Sequence, residues 1–344
     1  MKRFFLLCLS MILLLGDCSN EKEGRESDLT LLSGIIDPTD LRILNPDSYN
    51  SQLILIRTPI YVSKTTGNDS WPGSQTAPLR TITKALALAD GQNNIYIAPG
   101  EYSDRTGEKF PIRIPDGVSL IGDELGRGLG FSIHYGEKFE DMPVPKPTTI
   151  QFYGDDLAEA IQPGKNSTIA GFNLPNPIAL RTYNVKIRNN TLPQGIGIFN
   201  TDSSSKPSGG HWVSGNFIGS QKAPDYNDSV GIFFEETTDE NKVENNRIYR
   251  NRYGIVIRPG AKVDLGGGAR RSVGNNIISC SLEIDLTLLV EPGNRLYAAN
   301  NRWDHDVPTY SIGSTYKPGI DIYAPPPYGT IDIGGYSLAP SPCN

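Results

Sequence analysis

Residues 241–257 read NKVENNRIYRNRYGIVI and contain both parts of a motif that recurs along the chain. The first part is an asparagine followed by any residue and then an apolar one. It recurs at intervals of 17 to 30 residues, at Asn173, Asn190, Asn216, Asn246, Asn276 and Asn301. The second part is a glycine followed by apolar residues, at Gly195, Gly231 and Gly254. Self-similarity with a period of about 20–50 residues is typical of a solenoid.

The repeated units hold short strands and no helix, which excludes leucine-rich and tetratricopeptide arrays. The irregular spacing disfavours a propeller, whose blades are nearly equal in length. A β-helix tolerates insertions in its turns, because each coil contacts only its neighbours. We therefore predict an all-β fold, a right-handed parallel β-helix. Its apolar residues should form one continuous core, and its turn asparagines should stack in a ladder whose amides bond from coil to coil.

The ends of such a solenoid need covering, because an open end exposes unpaired strand edges. One stretch has apolar residues at helical spacing, namely Ile82, Ala85, Leu86 and Ala89. With Thr81 or Thr83 as N-cap and a stop at residues 90–91, it predicts a short N-terminal capping helix. The proline-rich run at residues 324–327 is expected to finish the other end.

The composition fits a large all-β domain and points away from nucleic acid. The chain has 344 residues, 38% of them hydrophobic, which is enough to bury a sizeable core. Its 36 glycines and 26 prolines suit many short strands joined by turns. The net charge is −6. A nucleic-acid binder needs a basic surface to neutralise phosphates, so this balance argues against one.

The first residues predict export. Lys2 and Arg3 precede an apolar run of 12 residues, Phe4–Leu15. That run is shorter than the roughly 20 residues of a spanning helix and is typical of a signal peptide. Cys18 then ends a segment that resembles a bacterial lipobox, in which the cysteine is lipidated. Asp17 departs from the small residue usual there, so an ordinary secretory signal with Cys18 unmodified stays the alternative.

Export determines the expected organisation and the cysteine chemistry. We expect a signal peptide at 1–17, a lipidated cysteine with tether and irregular lead-in at 18–58, and the β-helix at 59–344. The protein would be anchored to a membrane of the cell envelope by its lipid. In an oxidising compartment Cys280 and Cys343 could form a disulfide, and two buried thiols are the alternative.

A family likeness rests on residues 61–122, which begin YVSKTTGNDSWPGS and end GVSLIG. This opening resembles the bacterial family called domain of unknown function 1565, and pectin-lyase-like β-helix proteins more widely. Later landmarks of the same kind are DLGGG at 264–268, GNN at 274–276 and NNRW at 300–303. The resemblance covers about residues 60–305 and implies the β-helix fold. It implies no single activity, because pectin-lyase-like proteins include lyases, hydrolases, epimerases and non-catalytic adhesins.

Basic residues concentrate at residues 242–271, which hold eight of them against two acids. Four are candidates for binding a polyanion, because guanidinium groups suit carboxylates and sulfates: Arg247, Arg250, Arg252 and Arg258. The interpretation we favour makes them solvated turn residues that pair with acids of the preceding coil. Those acids are Asp225, Asp228, Glu235, Glu236, Asp239 and Glu240.

The sequence assigns no catalytic residue and no metal ligand. Two acidic doublets occur, at 155–156 and 235–236, but adjacent strand residues point to opposite sides and so neither doublet is a catalytic pair. The remaining candidates are three histidines expected at the surface and three tryptophans expected in core or loop packing: His134, His211, His305, Trp71, Trp212 and Trp303.

Three functions stay open. The first is a surface lipoprotein that contacts carbohydrate or matrix without cutting it. The second is a carbohydrate-active enzyme, a glycoside hydrolase or a polysaccharide lyase acting on an acidic polysaccharide. A lyase would need a base, with Ca²⁺ or arginine to neutralise the uronate carboxylate. The third is a structural or adhesive envelope protein. A cleft lined by the named arginines with Asp or Glu would favour the lyase.

Overall fold

The computed structural model describes residues 58–124, 147–154, 159–200, 208–220, 227–311 and 318–340. They form a right-handed parallel β-helix, which confirms the predicted fold class. The strands are β1 (Ile60–Val62), β2 (Asn94–Ile97), β3 (Gly100–Ser103), β4 (Ile112–Arg113), β5 (Ser119–Ile121), β6 (Thr148–Gln151), β7 (Ile161–Gln162), β8 (Thr168–Ala170), β9 (Ile178–Leu180), β10 (Lys186–Arg188), β11 (Thr191–Leu192), β12 (Ile196–Phe199), β13 (Trp212–Ser214), β14 (Phe217–Gly219), β15 (Asn227–Glu235), β16 (Asn241–Glu244), β17 (Arg247–Tyr249), β18 (Asn251–Ile257), β19 (Val263–Gly266), β20 (Ile277–Ser279), β21 (Ile284–Leu288), β22 (Arg295–Ala298), β23 (Arg302–Trp303), β24 (Tyr310–Ser311), β25 (Ile320–Tyr323), β26 (Thr330–Asp332) and β27 (Ser337–Leu338). One α-helix, α1 (Ile82–Leu88), and one 3₁₀ turn (Asp104–Thr106) accompany them.

The strands stack into three long parallel sheets. The first sheet runs β1-β2-β5-β8-β10-β13-β16-β19-β22-β26, the second β11-β14-β17-β20-β23-β27, and the third β24-β25-β21-β18-β15-β12-β9. Two short pairs, β3–β6 and β4–β7, complete the early coils. A typical coil visits the three sheets in turn, as β13, β14 and β15 do before β16 returns to the first sheet. Each coil therefore pairs with the coil before it and the coil after it.

The core consists of aliphatic columns that run from coil to coil. In the first sheet the column includes Ile169, Ile187, Val213 and Val243, and in the third Ile196, Ile232, Ile255, Leu286 and Ile322. All of these side chains are buried. Each buried aliphatic side chain contributes about 1.5–3 kcal/mol relative to exposure. The glycine series of the sequence is thus the position just before the third sheet's core column.

The predicted asparagine ladder is present and joins five coils. Its members are fully buried: Asn190, Asn216, Asn246, Asn276 and Asn301. Each Nδ2 donates to the Oδ1 of the next member at 2.9–3.2 Å. The prediction is wrong for Asn173, which pairs with Thr191 instead. Phe172 takes the ladder position in that coil, and its backbone N–H donates to Asn190 Oδ1 at 2.9 Å.

The predicted capping helix is α1, and its N-cap is Thr81, whose hydroxyl accepts from the backbone N–H of Lys84. The buried Glu108 carboxylate also accepts from the first turn, at 2.8 Å from the backbone nitrogens of Ile82 and Thr83. A carboxylate at this end of a helix interacts favourably with the free N–H groups there. Ile82 and Ala85 are buried, and α1 contacts β1, the first strand of the first sheet. The helix therefore covers this end of the core.

The proline-rich run does not end the solenoid, so that prediction is wrong. Residues 324–327 connect β25 to β26, and β26 pairs with β22 in the first sheet. β27 then pairs with β23 in the second sheet. The chain thus adds strands to both sheets after the prolines, because proline is compatible with a turn between coils.

Several sequence predictions lie outside the described residues. They include the signal segment, Cys18 and the tether, all within residues 1–57. Cys280 is buried and disulfide-bonded, but Cys343 lies outside the described residues, so their pairing stays a prediction. Among the residues that are described, no helix combines the length and apolarity needed to cross a membrane.

Candidate functional site

The candidate site is a groove of about 480 Å³ on the outer face of the first sheet. Its lining residues are Asn166, Asn184, Lys186, Gly210, Trp212, Lys242 and Arg270. Three of these stand side by side on adjacent strands, in the register Lys186–Trp212–Lys242. Since strand side chains alternate and the next residue of each strand lies in the core, these three point outward. The volume is in the range of ordinary small-molecule sites.

Trp212 is the centre of the groove and is held in a fixed orientation. Its Nε1 donates to Glu244 Oε1 at 2.9 Å. The ammonium nitrogens of Lys186 and Lys242 lie 6.0 and 5.4 Å from its ring. The indole is half-buried, so part of its surface faces the groove. An aromatic ring with cations beside it offers both a stacking surface and charge to a ligand.

Glu244 positions two of the groove residues, Trp212 and Lys242. Besides Trp212, its carboxylate receives Lys242 Nζ at 2.9 Å and the backbone N–H of Val273 at 3.0 Å. The side chain is buried. Three donors on one buried carboxylate fix its geometry. Glu244 therefore acts here as a support for the groove.

Arg270 forms one rim of the groove. Its Nη2 donates to the carbonyl of Gly210 at 3.1 Å. Gly210 has φ of +67°, and a Cβ there would lie 2.4 Å from Asn184 Oδ1, so this position favours glycine. Within the described ranges, neither Lys186 nor Arg270 has a carboxylate oxygen within 4.0 Å. Among the described residues, these two cations of the groove form no ion pair, although Arg270 interacts electrostatically with Glu240.

Two further acids, Asp264 and Glu240, lie close to Arg270 of the groove. Asp264 is fully buried and accepts from the backbone nitrogens of Gly266, Gly268 and Ser272, which shapes the loop that carries Arg270. Burial raises the pKa of Glu240, and the negative charge of Asp264 raises it further. Neither side chain lines the groove.

His211 is buried, so its expected surface position is wrong. Its Nδ1 accepts from the backbone N–H of Val185 at 3.1 Å. Burial, together with the charge of Arg270, lowers the pKa of His211 to about 4. The imidazole is therefore neutral at neutral pH and supports the strand beneath the groove.

The four named arginines do not form a wall of this groove. Arg252 lies 3.6 Å from Glu283, and Arg258 lies 3.8 Å from Glu235 of the preceding coil. Arg247 and Arg250 instead stack on Tyr249, with their guanidinium carbons 4.4 and 5.0 Å from the ring centre. Residues close in sequence are distributed around the coil, because the chain turns from the second sheet into the third within this segment.

A cluster of three buried carboxylates, missed from the sequence, lies in the last coils. Oxygens of Asp285, Asp304 and Asp321 lie within 4.8 Å of one another. His305 Nδ1 lies 2.8 Å from Asp321 Oδ2, so His305 is part of this cluster rather than an isolated surface residue. Burial raises the pKa of Asp285 well above its ordinary value, and the charges of Asp304 and Asp321 add to this. Such oxygens suit Ca²⁺ or a shared proton, but burial keeps them from a polymer.

The other sequence candidates contribute little to a site. Trp303 is fully buried in the core and Trp71 is exposed in a loop, as expected. Trp212 lies neither in the core nor in a loop and faces the groove. Glu235 pairs with Arg258, and its neighbour Glu236 is exposed. Asp155, Asp156 and His134 lie outside the described residues.

Comparison with known proteins gives a family. The sequence profile of the family described as "Protein of unknown function (DUF1565)" matches residues 65–310. No curated protein matches the chain. Among solved structures, XylC in complex with xylose is 13% identical, with a TM-score of 0.44 over 79% of this chain and 68% of that one. Pectate lyase Pel9A is 16% identical, with a TM-score of 0.33 over 83% and 78%. The GH136 lacto-N-biosidase of Eubacterium ramulus is 10% identical, with a TM-score of 0.29 over 80% and 68%. None of these three likenesses carries an argument about activity.

Proposed function

Because the chain belongs to the DUF1565 family, whose description brings no activity with it, we propose a function from the groove alone: recognition of an acidic saccharide without cleavage. One observation carries this proposal. Trp212 stands between Lys186 and Lys242 on adjacent strands, with Arg270 at the rim of the same groove. The indole offers a surface for a sugar ring, and the cations suit its carboxylate or sulfate groups.

The contacts of Glu244 and Asp264 favour binding over catalysis. Glycoside hydrolysis needs a carboxylic acid and a second carboxylate on either side of the scissile bond. Glu244 is occupied by three donors, and Asp264 is buried beneath its loop. The described groove residues therefore bind and orient a saccharide. One stacked ring and two or three charge-assisted hydrogen bonds supply a few kcal/mol, so a short acidic oligosaccharide should bind with a Kd of about 0.1–1 mM.

Calorimetric titration with polygalacturonate oligomers, against neutral malto-oligomers of equal length, tests this proposal. We expect the acidic oligomer to bind and Trp212→Ala to weaken it at least tenfold. Trp71→Ala is the matched control, since Trp71 is exposed in a loop away from the groove lining, and it should leave affinity unchanged. Equal affinity for the neutral oligomer, or equal losses in the two tryptophan variants, would refute acidic-saccharide recognition at this groove.

Lyase action on the same polymer is the second candidate. It is favoured by Lys186 and Arg270, two cations of one groove that have no ion pair among the described residues. A lyase needs a base beside a group that neutralises the uronate carboxylate, and Ca²⁺ could supply the second role. Ultraviolet absorbance of unsaturated uronates should be followed with and without Ca²⁺. Product that disappears in Lys186→Ala would replace the non-cleaving proposal with this one, and no product would exclude it for the polymers assayed.

We also propose that the chain is an exported lipoprotein, anchored through Cys18, that presents its β-helix at the cell envelope. The support is the sequence of residues 1–18, with its basic start, apolar run and lipobox-like end. Metabolic labelling with an alkyne fatty acid should mark the protein, and Cys18→Ala should abolish the label. A structural or adhesive role in the envelope is what remains if neither saccharide binding nor cleavage is found.

A further inference from the structure

The outer face of the second sheet carries an arginine–aromatic cluster that consists of Arg247, Tyr249 and Arg250. Ile248 between them lies in the core, so Arg247 and Tyr249 point outward. Both guanidinium groups lie within 5.0 Å of the centre of the Tyr249 ring. Arg247 also lies 5.8 Å from the ring of Phe217 in the preceding coil. Two positive charges thus share one aromatic ring, which brings them close together.

These two arginines differ from their neighbours in having unmet hydrogen-bonding capacity. Nε of Arg247 and both Nε and Nη1 of Arg250 are buried without a hydrogen-bond partner in the described part of the chain. Arg252 and Arg258 have carboxylate partners, whereas no described carboxylate pairs with Arg247 or Arg250. A buried unsatisfied donor costs about 1–3 kcal/mol, and more when it is charged. Cation–π contact offsets only about 1 kcal/mol at a partly exposed site.

We propose that Arg247, Tyr249 and Arg250 form a binding site for a tetrahedral oxyanion, a sulfate or phosphate group. Two guanidinium groups that share one aromatic ring and have no carboxylate partner among the described residues suit an anion with several oxygens directed around a tetrahedron better than a planar carboxylate. The three unmet donors are themselves shielded from solvent, but both arginines are half-buried, so the anion would contact the part of each side chain that remains at solvent. This site is on a different sheet from the saccharide groove and does not depend on it.

The backbone at Arg250 provides a variant that should preserve the fold. Arg250 has φ of 55°, a left-handed conformation that glycine adopts at lower cost than arginine. Arg250→Gly should therefore remove one guanidinium without lowering the melting temperature. Arg252→Gln is the matched control, because it removes an arginine of the same segment that already has a carboxylate partner.

Isothermal titration with inorganic sulfate and inorganic phosphate, at constant ionic strength with chloride as the balancing ion, tests the site on the purified protein. We expect saturable binding in the millimolar range or tighter. Arg250→Gly and Arg247→Gln should each weaken it at least tenfold, and Arg252→Gln should change it less than twofold. Comparison of the two titrations shows which anion is preferred.

Three outcomes would overturn the proposal. The first is no saturable binding of either anion up to 50 mM, about tenfold above the range where a millimolar site saturates. The second is an equal loss of binding in Arg252→Gln. The third is binding that arises only after Asp225→Asn or Asp228→Asn, which would show that a carboxylate of the chain itself satisfies the arginines. Trp212→Ala should not alter anion binding, so failure of this site and failure of the saccharide groove are separable.

Discussion

Asp285→Asn should stabilise the protein at neutral and alkaline pH, although it replaces a buried ionisable side chain. The carboxylate oxygens of Asp285, Asp304 and Asp321 lie within 4.8 Å of one another. Asp321 accepts from the Thr309 hydroxyl and the backbone N–H of Asp304, and Asp304 accepts from the backbone N–H of Cys280 at 2.7 Å. Asp285 accepts from Ser281, through the backbone N–H at 3.1 Å and through the side chain, and its pKa is raised despite these bonds. It is therefore the member that holds a proton most readily.

The magnitude follows from the distance between the carboxylates. At an effective dielectric constant of about 20, two unit charges 4.8 Å apart repel by about 3.5 kcal/mol. The pKa of Asp285 is raised in the fold, by burial first and by the neighbouring charges second. A carboxyl group whose pKa is raised in the folded state stabilises the fold fully below its unfolded-state pKa of about 4. This stabilisation is lost as the pH rises toward the folded-state pKa. This loss amounts to at most about 1.4 kcal/mol per pH unit.

Denaturant unfolding at pH 4, 7 and 9 measures the effect. An asparagine amide donates where the carboxylic acid did and does not ionise, so we expect the variant to match the unsubstituted protein at pH 4 and to exceed it by about 3 kcal/mol at pH 9. Asp306→Asn, at an exposed position of the same coil, should have no pH-dependent effect. A constant destabilisation of Asp285→Asn at every pH would refute the reasoning. So would Ca²⁺ that raises the melting temperature of the unsubstituted protein but not of the variant, because the cluster would then hold a cation.

Two further predictions concern the ladder and the buried histidine. Asn246→Ala should lower the free energy of unfolding, measured in urea, by about 3–4 kcal/mol, because the backbone N–H of Asn216 and the carbonyl of Val213 lose their buried partner. The control is Asn245→Gly, which should cost little or nothing because Asn245 has φ of 58°. Equal losses in the two variants would contradict the ladder's role. Burial holds the pKa of His211 at about 4 against an ordinary 6.5, so the free energy of unfolding should fall by up to about 3 kcal/mol as the pH drops from 7 to 4. His211→Gln should flatten this pH dependence. A pH profile that is unchanged in this variant would show that other groups cause the loss of stability in acid.

The fold was predictable because its strongest signal is periodic. Ladder asparagines and core residues recur once per coil, so spacing alone indicates stacked coils. The prediction failed at Asn173 because its three-residue pattern lies one residue away from the ladder position of that coil. Only the hydrogen bond between Phe172 and Asn190 shows which residue is in register with the ladder. The proline run misled because proline marks a turn as readily as an end.

The groove residues could have been predicted from the sequence but were not. Lys186, Trp212 and Lys242 each stand four residues before a ladder asparagine, so equal offsets from the ladder would have placed them side by side. Arginines were grouped by closeness in sequence instead, and the coil distributes them over different faces. The offset rule also has a limit. In the next coil a loop intervenes before Asn276, and Asp264 rather than Ser272 stands beside Lys242.

The acidic cluster had a fainter signal. Gly195, Gly231 and Gly254 occupy the position before a core residue of the third sheet, and a Cβ at Gly254 would lie 2.4 Å from the carbonyl oxygen of Asp285. In the following coils the same position holds Asp285 and Asp321, before Leu286 and Ile322. Asp304 comes from a different turn, so only stacking in three dimensions brings it to them.

The ladder also determines how the molecule should respond to tension. Its amides join neighbouring coils from Asn190 to Asn301, so coils in that range are held by side-chain bonds in addition to backbone pairing. A force applied at the N-terminal side of β1 would peel the solenoid one coil at a time, because each coil contacts only its neighbours. Release of a 30-residue coil frees roughly 100 Å of chain. Extension should therefore proceed in steps of about that length, with resistance rising at the coil that contains Asn190.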